Sequence, residues 1–78
     1  MKVRVELLGP LRIPPAGRVF EREYRAGTSV RAILRKEMGY SEQEMGFIQV
    51  LRAGQALPLD EKLSSDSELT VSLRLGGG

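Results

Sequence analysis

Only one stretch of this chain carries apolar residues at helical spacing; most of the rest alternates with a period of two. Val30, Ile33, Leu34 and Met38 recur along a single stripe. Thr28 precedes them as an N-cap and Gly39 follows as a stop. Arg31, Arg35 and Lys36 fall on the wet side, the last two where the helix dipole favours cations. The spacing predicts a helix of about ten residues. One helix cannot cover both faces of a sheet, so the strands must form a layer with one face beneath the helix and the other against water.

The strand pattern is legible on both sides of that helix. Lys2 to Leu8 alternates, with Val3, Val5 and Leu7 on one face and Lys2, Arg4 and Glu6 on the other. Gly9-Pro10 breaks it, and residues 9–17, with Pro14-Pro15-Ala16-Gly17, form a loop pinned from beneath by Leu11 and Ile13. Arg18 to Arg25 alternates again, Phe20 and Tyr24 inward. Arg22 falls on that same face, which requires its stem to snorkel to an edge or the strand to bulge.

Beyond the helix, Ser41 to Glu44 has capping-box spacing for one short turn. Phe47 to Arg52 reads as a strand with Ile48 and Val50 in the core, and Ala53-Gly54 turns the chain. Ala56 to Leu59 is a short strand that Pro58 confines to an edge or an end. Leu63 plugs the core from a polar turn. Glu68 to Leu75 closes the domain, with Leu69, Val71 and Leu73 inward. The expected fold is α+β: a mixed sheet of four to five strands with one main helix packed on one face. Its first and last strands lie parallel at the centre, joined by a long right-handed crossover. Residues 1–75 make the domain and 76–78 a flexible tail.

A chain of 78 residues makes a single small domain. It contains no Cys and no His, which removes disulfides, thiol chemistry, the commonest general base and the usual zinc ligands. Catalysis by the chain alone is not expected, and neither is a bound cofactor. No apolar run approaches a membrane span and Met1-Lys2-Val3-Arg4 is unlike a secretory signal, so a cytoplasmic location is the expectation. Residues 1–40 hold nine Lys/Arg against four Asp/Glu, and residues 41–78 hold three against six, giving +5 and −3. This reads first as a mixed, solvated surface and second as a bipolar one that steers docking. Nucleic acid is not an expected partner, because Glu21, Glu23 and Glu37 interrupt the basic residues and aromatics are 5%.

The chain ends Leu75-Gly76-Gly77-Gly78. Three residues without a Cβ can lie extended in a slot too narrow for side chains, presenting an unhindered carboxylate at Gly78. That carboxylate is inert until activated, so the tail reads either as a substrate for another enzyme or as a solvated chain end. Leu8, Phe47 and Leu51 are apolar at outward positions where water is expected. They read as a partner surface, or as residues covered by a loop, or as a sign that the third strand's register is reversed.

Four features resemble the β-grasp, ubiquitin-like fold and, within it, the MoaD/ThiS sulfur-carrier family. They are the opening Met1 to Arg12, the helix entry Gly27-Thr28-Ser29-Val30, the hairpin from Gln49 to Pro58 turning at Gly54, and the terminal Gly77-Gly78. Ala53 stands where the family's turn has Asn. The Pro14-Pro15 loop and the length favour the MoaD-like branch.

The resemblance implies a carrier rather than an enzyme, or the non-catalytic small subunit of a sulfurtransferase complex. Gly78 would be adenylated by a ubiquitin-activating-type enzyme (MoeB- or ThiF-like) using ATP, then converted to a thiocarboxylate by a sulfur donor. Gly76 and Gly77 would thread the slot, and Arg74 would pair with acidic groups at its mouth or remain a solvated strand-end charge. The acceptor would be the molybdopterin synthase large subunit, with thiamine thiazole synthesis the next reading. The alternatives are a protein modifier conjugated through Gly78 and a non-covalent β-grasp adaptor.

Overall fold

In the computed structural model, which describes residues 1–74, the central pair of strands is formed by the first and last segments of the domain. The elements run β1 (Lys2–Leu7), β2 (Val19–Glu23), α1 (Val30–Met38), α2 (Glu42–Met45), β3 (Ile48–Arg52), β4 (Gln55–Leu57) and β5 (Ser67–Leu73). The five strands lie in the order β2-β1-β5-β3-β4. β1 and β5 are parallel, in register from Val3 opposite Ser67 to Leu7 opposite Val71. The other three pairs are antiparallel.

The period-two pattern places each inward residue as read. Val3, Val5 and Leu7 of β1, Ile48 and Val50 of β3, and Leu69 and Val71 of β5 are buried, and α1 lays Val30, Ile33, Leu34 and Met38 against them. Leu63 is fully buried in the same cluster. The β3 register is therefore not reversed, and Leu51 points outward, opposite Thr70. Of the two residues expected to pin the 9–17 loop, Leu11 is buried but Ile13 is 39% exposed. One apolar anchor holds that loop.

Local chemistry sets the ends of the elements, with one correction. Ser29, not Thr28, is the N-cap of α1: its Oγ accepts from the Ala32 amide at 3.1 Å, while Thr28 Oγ1 donates to the Arg25 carbonyl. The remaining free amides of the first turn find carbonyls in the segment after β4. Val30 donates to Glu61 and Arg31 to Leu59. Leu63 is held by its own amide donating to Thr28. Gly39 ends α1 in the left-handed region at φ 66°, its amide bonded to the Arg35 carbonyl. Ser41 and Glu44 form the reciprocal capping box at α2.

Two local problems in the sequence are settled by geometry. Arg22 stays in an unbroken β2 register and does not bulge the strand. Its stem crosses the Phe20 ring, with the guanidinium 5.5 Å from the ring centre and Nε 3.7 Å from Glu37. The β3–β4 turn has positive φ at both central residues, 52° at Ala53 and 79° at Gly54. That is the twist a two-residue hairpin requires, and Ala carries it at a cost that Asn or Gly would not.

Candidate functional site

The candidate site is the place where β5 ends. β5 is held on both sides, by β1 and by β3, through to the pairing of Leu73 with Ile48. One further bond fixes the exit: the Arg74 amide donates to the Phe47 carbonyl at 2.8 Å. The Arg74 side chain is exposed. Gly76, Gly77 and Gly78 lie outside the described residues, so the tail's chemistry rests on the sequence and its root on the structure.

A cavity of about 410 Å³ opens beside this root. Its apolar lining comes from Pro10 and Leu11 of the β1–β2 loop, Tyr40 after α1, Phe47 and Ile48 at the start of β3, and Leu73. Arg12, Glu44 and Arg74 stand at the polar positions. A smaller hollow of about 280 Å³, lined by Leu8 and Ser72, shares Pro10 and Leu73 with it. The four residues expected to face a partner are thus divided. Phe47 and Arg74 flank the cavity, and Leu8 reaches it only through Pro10. Leu51 lies on the outward face beside Thr70 and Ala56, away from the cavity.

Arg12 holds the cavity's walls together. Its guanidinium donates to the Met38 carbonyl at 3.2 Å, one of the carbonyls that the last turn of α1 leaves without a helical partner. It also pairs with Glu44 at 3.3 Å and lies over the Tyr40 ring, 5.2 Å from its centre. The Glu44 carboxylate is held below its ordinary range, first by the Ser41 amide, and the Arg12 charge acts in the same direction. One arginine thereby fastens the β1–β2 loop to both helices.

Tyr40 is 4% exposed, and its hydroxyl has no hydrogen-bond partner among the described residues. Burial pushes the hydroxyl's pKa up. Neither Tyr40 nor Arg12 was singled out by the sequence. An aromatic directly after a C-terminal Gly cap is a signal for burial, since that position often packs back on the last turn. No signal in the sequence marks Arg12 as the clamp.

Among the described residues no group of three His, Cys, Asp or Glu could hold a metal ion, and no helix is long and apolar enough to cross a membrane.

No family model matches the chain, and no curated protein matches it. Solved structures do. The crystal structure of SAMP1 from Haloferax volcanii superposes with a TM-score of 0.71 at 19% identity, covering 100% of both chains. A structure of H. volcanii small archaeal modifier protein 1 gives 0.70 at 20% identity over 91% of this chain and 94% of that one. At such identities the likeness is one of fold. The chain has the β-grasp, ubiquitin-like fold expected from its pattern.

Proposed function

We propose that this β-grasp domain is a carrier whose C-terminal carboxylate, on Gly78, is activated by another enzyme and loaded with sulfur. The observation that supports the reading best is the position of the tail's root. Leu75 follows a central strand that is hydrogen-bonded on both edges and fixed at its last residue by the Arg74–Phe47 bond. A rigid root aims the glycines at one point in space, so that little orientation is lost when a slot takes them up.

In the proposed reaction the Gly78 carboxylate attacks the α-phosphorus of ATP, expelling pyrophosphate and leaving an acyl-adenylate. A persulfide sulfur then attacks the acyl carbon and AMP departs with the electron pair. A thiol cleaves the resulting acyl disulfide, leaving the thiocarboxylate on Gly78 and a disulfide on the donor. The domain supplies a presented end, and the activating enzyme (MoeB- or ThiF-like) supplies the ATP site. Molybdopterin synthesis is the acceptor pathway favoured by the MoaD-like features, with the synthase large subunit as partner, and thiamine thiazole synthesis stands next.

The test is intact-mass spectrometry after incubation with an adenylating enzyme of the same organism, ATP and a persulfide donor. The expected product is heavier by the difference between sulfur and oxygen. A chain lacking Gly77 and Gly78 keeps its melting temperature and gives no such product. An unmodified full-length chain in the presence of an enzyme that forms AMP with it would refute the sulfur-carrier reading.

A second reading has its own support, because the superposed structures carry the name modifier protein. In it the same adenylate passes to a protein lysine as an isopeptide bond. A ladder of conjugates detected with a tagged chain distinguishes it.

A further inference from the structure

We infer that the cavity beside the tail root receives an apolar side chain of the activating enzyme, with a carboxylate of that enzyme set against Arg74. The inference rests on the activation of Gly78 proposed above and identifies the surface through which that activation is achieved.

Position is the first support. An enzyme that encloses the chain from Leu75 onward has the mouth of its slot at Arg74, and both Leu73 and Arg74 line the cavity. Whatever grips the tail therefore lies against the opening.

Apolar exposure is the second. Phe47 is 63% exposed and lies outside the buried core. Its ring at the cavity's edge leaves apolar area in water that a partner would remove. The outward face offers less, since Thr70 and Ser72 of β5 run between Leu8 and Leu51.

Charge is the third. Arg12 is engaged by Glu44 and the Met38 carbonyl, whereas Arg74 makes no ion pair among the described residues. A carboxylate on the partner completes it. At about 410 Å³ the cavity falls within the usual size of ligand sites, about 300–1,000 Å³. The Arg12 clamp and the α2 capping box keep its walls in place before anything docks.

The experiment is ATP–pyrophosphate exchange by the activating enzyme, with the full chain as the varied substrate, comparing wild type with Phe47→Ala and Arg74→Glu. Both side chains are exposed, so both variants fold. In each, KM is expected to rise about tenfold or more while kcat stays within about twofold. The Arg74→Glu defect shrinks as salt is raised, and the Phe47→Ala defect does not. KM values within about twofold of wild type for both variants overturn the inference and leave the carrier reading intact. A fall in kcat with KM unchanged also overturns it, placing these residues on the tail's path instead. Absence of exchange with wild type removes the carrier reading and the docking inference together.

Discussion

Tyr40 is a residue whose burial and chemistry disagree. Its ring fills the wall between α1 and β3, but the hydroxyl has lost water and gained no partner among the described residues. A buried donor left unmade costs on the order of 1–3 kcal/mol. Tyr40→Phe keeps the ring, its packing and the Arg12 contact while removing that cost. The variant is expected to be more stable by about 1 kcal/mol, read as a melting temperature higher by about 4–8 °C in a domain of this size. A lower melting temperature would mean that the hydroxyl is bonded after all. Tyr40 also shows where reading residues one by one fails. Its burial follows from a rule about helix ends, but its orphaned oxygen depends on what Arg12, Glu44 and the β1–β2 loop bring to the same spot, and these are far apart in sequence.

At the scale of elements, the short helix α2 owes its existence to a single reciprocal pair. Ser41 Oγ accepts from the Glu44 amide at 3.1 Å, and the Glu44 carboxylate accepts from the Ser41 amide at 2.9 Å. Those bonds hold the Glu44 carboxyl below its ordinary 4.5, so the folded state binds its proton less readily than the unfolded chain does. The stabilisation from this group is therefore complete above the ordinary value and disappears as pH falls through the depressed one. Glu44→Gln retains the capping bond without the charge. Denaturant midpoints of wild type and variant are expected to differ by a constant amount near neutral pH and to converge as pH drops below 4.5. A difference that stays flat into acid would contradict this account. The capping box, the Gly39 stop and every strand were legible because each depends on residues within a few positions of one another. The N-cap fell one residue late because Thr28 and Ser29 both qualify by type, and only the direction of each hydroxyl separates them.

For the whole molecule the controlling feature is the sheet order, with β1 and β5 inside and β2 and β4 at the edges. Amides of Val5, Leu69 and Val71 are expected to exchange with solvent most slowly, and those of β4 first, since edge strands open without breaking the core. Slow exchange in β4 would place the weakest part of the domain elsewhere. This order was also deducible from the pattern, because one helix and a parallel central pair leave few ways to connect five strands. The cavity was not, since its lining is drawn from four separate stretches and only closure of the sheet brings them together. The central place of β5 has a further effect during synthesis. A ribosome releases residues 67–73 after all the other strands, so β1 and β3 wait with a gap between them until the last strand arrives. Prematurely terminated copies cannot zip shut and are left to proteases, so the head becomes durable only once translation has all but reached its stop.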